Sequence, residues 1–339
     1  MRLITRIWMS LCFILLFQLP SFAAQSNNGS DTLHILYYDN IEYDEDPYQF
    51  LNGVPLKSFE NHLNFIKQNA YRVIDLNDPM QTQLDTSSNH VKNIAIILNT
   101  NDEEAANYAV PLLKRYDFPV NFNVNPLETN NKNIKINAIK SPILNISSNN
   151  EATVLIEKIL NDETSRFREL FGKTRRSVIL EDSFLYLNNK AVFDRYNFDR
   201  IYIPTGEANI YGQDQSIYSY INVTSSFTNL DVLKVHLNRQ PFHHTNFTVQ
   251  RHGETDDKNT HIAWGFTVPS PIYPEQENMR CVTSNGEDAA IHAIENRVEI
   301  RLPKDIPYSA LKVHCTKDIH DKNSNKTDAY QYMTLHEPL

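Results

Sequence analysis

Glycine is scarce in this chain, with 8 among 339 residues. Tight turns must then fall largely to asparagine, which tolerates the left-handed backbone region. Excess positive charge is also missing. The formal net charge of −9 argues against nucleic acid as the main partner. Long apolar runs are absent after the N-terminus, so no later segment is expected to cross a membrane. Tryptophan and cysteine are few, at 2 and 3. What the chain does hold is a 41% hydrophobic fraction with 17 Tyr and 17 Phe, enough for a sizeable core. The length suits one large domain followed by a small one.

Residues 1–24 read as a secretory signal peptide. Arg2 and Arg6 form a basic start, Ile7 to Leu19 an apolar stretch short for a membrane span, and Ser21-Phe22-Ala23 a small-x-small cleavage pattern. The competing reading is an uncleaved anchor. Cleavage predicts an exported protein, periplasmic or secreted, with no membrane span left. Cys12 leaves with the signal, so Cys281 and Cys315 remain. In an oxidising compartment one disulfide is the simplest outcome, worth about 3–4 kcal/mol on the chain-entropy model. Two buried free thiols are the alternative.

From residue 32 strands and helices alternate, which implies a parallel sheet or barrel. Strands are expected at 33–38, 71–76, 94–98, 118–124, 134–136, 178–180 and 201–203. Helices are expected from Ser58 as N-cap, over 102–115, over 151–171 with Gly172 as stop, and over 190–196. Asn and Ser tracts at 87–91, 145–150 and 321–327 read as loops. Beyond residue 238 short runs with turns between them (246–250, 262–268, 279–284, 297–302, 311–315) predict a small β-sandwich. Asn285-Gly286 marks a tight turn there. The expected division is a barrel over 32–237 and a sandwich over 238–339.

The strand at 94–98 deserves the closest reading. In an α/β fold the chemistry sits where such a strand meets the next helix. The acids Asp102, Glu103 and Glu104 suit the positive end of a helix dipole. The corner before them, Asn99-Thr100-Asn101, is neutral.

Several segments resemble, in order, those of NodB-type polysaccharide deacetylases (carbohydrate esterase family 4). Ile35 to Ile41 resembles the opening strand of that family. Ser58 to Leu63 and Ile66 to Ile74 are similar to its next helix and strand. Tyr108 to Tyr116 is similar to its "yAlPiLkky" helix, and Asp117-Phe118-Pro119-Val120 to the lead into the following strand. Cys281 to Gly286, Arg297 to Arg301 and Val313 to Thr316 resemble the β-module of some exported members. The resemblance implies a distorted parallel (β/α) barrel with a small C-terminal β-sandwich, a polysaccharide or cell-envelope glycan as partner, and a divalent metal such as zinc.

The reactive positions depart from that pattern. Aligned on Pro111, the family's aspartate base falls on Asn99 and its metal-binding aspartate on Thr100. Its two histidine ligands fall on Asn137 and Ser141, before Pro142. An amide cannot take a proton from water at neutral pH. A threonine hydroxyl is a poor zinc ligand. Without ligands nothing lowers the pKa of a bound water. No cofactor is therefore expected, and catalytic and metal sets are read as not intact. The cleft of the family would be lined here by Tyr38, Asp39, Asn99, Thr100, Asn101, Asn137 and Ser141. The family's Arg/Pro-Tyr-Gly motif is not found near 177–184.

Other residues could substitute. Asp39 and the acids 102–104 could form a displaced metal site, or simply start a helix. His243, His244, His252 and His261 form the densest histidine group, a metal site or an incidental polar loop. Tyr37, Tyr38, Tyr43, Tyr48 and Phe50 could stack on sugar faces or serve as core. Asn28, Asn145, Asn222, Asn246 and Asn325 head glycosylation triplets, used only in a host that glycosylates. Three functions follow: a deacetylase-like protein that binds N-acetylated polysaccharide without metal-dependent hydrolysis, an active deacetylase with relocated ligands, or an envelope interaction module.

Overall fold

The first strand, β1 (Thr32–Tyr38), is buried along its whole length. Such a strand has no solvent face and needs cover on both sides. Leu33, Ile35 and Tyr37 enter one apolar cluster, while Leu36 and Tyr38 enter another. The structure, a computed structural model, describes residues 32–42, 53–76, 92–99, 105–124, 142–146, 153–171, 177–182, 185–186, 189–210, 216–242, 245–252, 261–268, 279–284, 286–301, 312–320 and 327–336.

Five strands follow β1 around a parallel sheet, each beside the last: β2 (Asn93–Asn99), β3 (Asn121–Val124), β4 (Pro142–Ile146), β5 (Ser177–Leu180) and β6 (Arg200–Ile203). One further stretch nearly closes the barrel. Its first half, β7 (Ile217–Ser219), pairs with β6, and its second half, β8 (Ile221–Val223), pairs with β1. The switch of partner occurs at Tyr220. Below the switch, where that edge of β1 lacks a parallel neighbour, Asn209-Ile210 pairs with it antiparallel. The Asn209 side chain completes this seam. Its Nδ2 donates to Leu33 O (3.2 Å) and Ser219 O (2.7 Å), and its Oδ1 accepts from Ser219 N (2.7 Å).

The helices lie outside. α1 (Leu56–Gln68), α2 (Val110–Tyr116) and α5 (Leu230–Leu237) cover the outer faces of β1, β2 and β8 through Phe59, Leu63, Ile66, Leu113, Leu233 and Leu237. Each such side chain, fully buried, contributes about 1.5–3 kcal/mol. α3 (Thr153–Phe171) and α4 (Lys190–Tyr196) cover β5 and β6 through Ile156, Leu160, Val192 and Phe193. The expected scaffold is thus present, with extra sheets beyond it.

Local details differ from the sequence reading. Ser58 does not cap α1: the helix starts at Leu56 after Pro55, and Ser58 is buried in its first turn. Of the expected 71–76 strand only Arg72-Val73 is a strand, though Ile74 N still donates to Ile94 O (2.8 Å). Residues 105–109 form a π turn, and the α-helix proper begins at Val110. Pro111 has no N–H to give to the preceding turn, so a regular ladder starts only there. β4 occupies a segment partly read as loop, with Pro142 in the strand's first position, where no ladder donor is needed. β7, β8 and α5 were not foreseen. The signal segment, the 134–136 strand and Gly172 lie outside the described residues.

The C-terminal part holds two four-stranded sheets. One contains β9 (Arg239–Pro241), β12 (Arg280–Thr283), β15 (Lys312–His320) and β16 (Thr327–His336). The other contains β10 (Thr245–His252), β11 (His261–Thr267), β13 (Ala290–Ile294) and β14 (Arg297–Arg301). Trp264, Phe266 and Ile300 of one meet Val313, Met333 and Leu335 of the other in a single apolar cluster. Cys281 and Cys315 stand opposite each other on β12 and β15 and are disulfide-bonded. The bond therefore ties two strands of one sheet. Arg239 joins the two parts: Nη1 donates to Gly206 O (2.5 Å), and the guanidinium lies 4.0 Å from the centre of the Tyr332 ring.

Candidate functional site

β1 to β8 all run the same way, so their C-terminal ends share one mouth. Alternation decides which residues face inward there. Tyr37 and Ile97 belong to the interior cluster, so Asp39 and Asn99 follow on the same face, one layer higher. Asn123 is paired in register with Asn99. Tyr220 is interior as well. The mouth is therefore walled by Asp39, Asn99 and Asn123 in one row, above Tyr37.

A hydrogen-bond chain links them. Asn123 Nδ2 donates to the Tyr37 hydroxyl (2.9 Å), which donates to Asp39 Oδ1 (2.8 Å). Asn99 Nδ2 donates to the same Oδ1 (2.7 Å). Asp39 is exposed and Asn99 half-buried, while Asn123 is fully buried. Among the described residues Asn123 Oδ1 has no hydrogen-bond partner, an unusual state for a buried acceptor. Burial and then the Asp39 charge raise the Tyr37 hydroxyl far above the ordinary phenol range. The Tyr220 hydroxyl donates to Leu180 O (2.8 Å) at the end of β5. It too is pushed up, by burial and then by the negative charges of Glu181, Asp39 and Asp182. Neither phenol can act as a proton-shuttling base near neutrality.

The loop after β1 is shaped by Glu42. Its Oε1 accepts from Asn40 Nδ2 (3.0 Å) and Gly53 N (2.8 Å). A side chain at Gly53 would meet Asn40 O at 2.6 Å, so glycine is required by close approach. This clamp fixes the backbone next to Asp39.

Tyr38, expected at the cleft, is not there. It points to the outer face of the barrel, edge-on to Phe59, with its hydroxyl 3.1 Å from His62 Nδ1. The reason is the two-residue period of the strand: Tyr37 and Asp39 face in, so Tyr38 faces out. Of the remaining cleft residues the structure brings Asp39 and Asn99 together. Thr100, Asn101, Asn137 and Ser141 lie outside the described residues, as do Tyr43, Tyr48, Phe50 and the acids 102–104. Nothing is described of the side chains of His243, His244, His252 and His261.

Among the described residues no group of three or more His, Cys, Asp or Glu could hold a metal ion. Asn99 directs its Nδ2, a donor, at Asp39, so that atom is no ligand, where a carboxylate would offer a second charged oxygen. By residue type, Thr100, Asn137 and Ser141 would add only neutral oxygen or amide groups.

Solved structures similar to this fold include deacetylases. A de-N-acetylase from Aggregatibacter actinomycetemcomitans aligns with a TM-score of 0.47 and 13% identity, covering 61% of this chain and 100% of its own. IcaB from Ammonifex degensii aligns at 0.45 and 14%, covering 60% and 96%. The Streptococcus pyogenes deacetylase PplD aligns at 0.44 and 13%, covering 59% and 97%. No protein-family model matches the chain, and no curated protein matches it.

Sequence reasoning missed Asn123, Glu181, Asp182 and Tyr220. A signal for the first was present: Asn121-Phe122-Asn123 alternates polar and apolar residues where a buried strand should be apolar throughout. Glu181-Asp182 directly follows an apolar strand, again at its C-terminal end. Tyr220 could not be found, because the strand it interrupts was not foreseen.

Proposed function

We propose that this chain is an exported, polysaccharide-deacetylase-like protein that binds a saccharide at the barrel mouth and lacks the metal-dependent hydrolysis of that family. The observation that carries this is the Asn99–Asp39 contact at 2.7 Å. At the strand end where the family resemblance places a proton-accepting carboxylate stands an amide that donates. The ordered sequence resemblance supports the family reading, and the inward layer of hydroxyls, amides and carboxylates suits a polyhydroxylated ligand. Export rests on the signal-like N-terminus. Among the described residues no helix is long and apolar enough to cross a membrane.

The test has two arms on the mature chain. One measures acetate release from N-acetylglucosamine oligomers with added zinc, cobalt or nickel. The other measures binding of the same sugars and of glucosamine oligomers by calorimetry. Binding without turnover is expected. Robust metal-dependent turnover overturns the loss of hydrolysis and favours relocated ligands. No binding of any oligomer overturns the saccharide reading and favours an envelope interaction module.

A further inference from the structure

The hydrogen-bonding groups at the mouth are matched unevenly. Four side chains there direct a donor hydrogen into the protein itself: Tyr37 and Asn99 into Asp39, Asn123 into Tyr37, and Tyr220 into the Leu180 carbonyl. Among the described residues an unmatched atom there is an acceptor, the fully buried Oδ1 of Asn123, on a carboxamide that projects inward in the row of Asn99 and Asp39. A buried acceptor left without a donor carries an uncompensated desolvation cost, so the site calls for a ligand that brings one. Charge points the same way. Asp39 lies at the mouth, and Glu181 and Asp182 are exposed directly after β5, close enough for all three to act on the Tyr220 hydroxyl.

The two chemical forms of an amino sugar differ in what they need. An acetamide is neutral, and its carbonyl requires a donor from the protein. A protonated amine carries three donors and a positive charge, and requires acceptors and anions. We propose that the mouth selects the protonated amine of a de-N-acetylated amino sugar over the acetamide of the acetylated one. This rests on the saccharide-binding reading and sharpens it: the chain would hold what a deacetylation reaction releases on the polymer. Asp39 supplies the anion nearest the amine, Asn123 Oδ1 the buried acceptor, and Glu181 the outer anion.

The experiment compares glucosamine and N-acetylglucosamine oligomers of equal length on the mature chain by calorimetry, with chelator present. At about pH 6 the glucosamine oligomer is expected to bind at least tenfold more tightly. The gap should shrink at about pH 9, where such an amine is largely neutral, and with added salt. Asp39→Asn should abolish the preference. Glu181→Gln, at an exposed position, should reduce it severalfold without affecting folding. Equal or tighter binding of the acetylated oligomer overturns the preference while saccharide binding stands. Binding that is lost in chelator assigns the mouth to a metal ion and overturns it too. A preference unchanged in both variants places the amine elsewhere. Failure of both oligomers to bind removes this inference together with the reading beneath it.

Discussion

Asn99 and Asp39 are joined across neighbouring parallel strands, the amide of one donating to the carboxylate of the other at 2.7 Å. Asn99→Asp tests what this contact does. It is nearly isosteric, yet it replaces a donor by a second carboxylate in contact with the first. The expected result is a loss of about 1–3 kcal/mol of stability at neutral pH. The loss should shrink on acidification, when one carboxylate takes up a proton and can donate in place of the amide. Urea unfolding at pH 7 and pH 4 reads this directly. On the proposed reading no hydrolysis is expected to appear, since a carboxylate at 99 alone brings no metal ligands with it.

Asn209→Leu should be among the more damaging single changes in the barrel. It strips three hydrogen bonds from the seam and leaves Ser219 N–H and the carbonyls of Leu33 and Ser219 without that partner. A cost of about 2–4 kcal/mol is expected. Asn209→Asp, which keeps the acceptor but not the donors, should fall between. A variant as stable as the parent would mean that the backbone closes the seam unaided.

Stability should fall with acid below pH 6.5. His34 is buried on the outer face of β1, with Lys92, Arg239 and His236 nearby, and burial followed by those charges holds it down to about 3. His236, on α5, is held to about 4 by burial and then Arg239. In the unfolded chain each would take a proton near the ordinary histidine value of 6.5. The unfolded chain thus binds more protons below that pH, so the stabilisation present above it is lost as pH falls toward 3–4. For His34 alone this is about 2–3 kcal/mol at pH 4.5. Urea midpoints measured between pH 7 and pH 4.5 should show a flatter dependence in His34→Leu. An unchanged slope would remove His34 from the account.

Reduction of the Cys281–Cys315 bond, which spans 34 residues, should lower stability by about 3–4 kcal/mol on the chain-entropy model. Thermal melting with and without a thiol reductant checks it. Because both cysteines lie in the sandwich core, the sandwich transition should move and the barrel transition should not.

Those cysteines were legible in the sequence because only one partner was left for each. The barrel was legible for a different reason: β1 and β2 are buried on both faces and mostly apolar, and they announce themselves without any motif. Short strands did not. β7 and β8 span three residues each, and no periodicity can be read over such a length. The candidate site was half legible. Asp39 and Asn99 follow apolar strands and could be placed from the family resemblance. Tyr38 was misplaced because the face a strand residue takes depends on register, which a single strand does not reveal. Asn123 stayed hidden because its role comes from Tyr37, far away in sequence and adjacent only in the closed barrel.

The partner switch at Tyr220 bears on how the chain is made. β1 emerges first, yet one of its edges is not satisfied until residues 209–223 exist. Until then six strands form an open sheet whose inner row, including Ile35, Ala95 and Ile97, has no opposite wall, and both outer edges invite pairing with another chain. A nascent chain should therefore pass through a sticky stage that ends only when the last strand arrives. A chain stopped at residue 216 should scatter light and bind hydrophobic dyes, whereas one stopped at 238 should not.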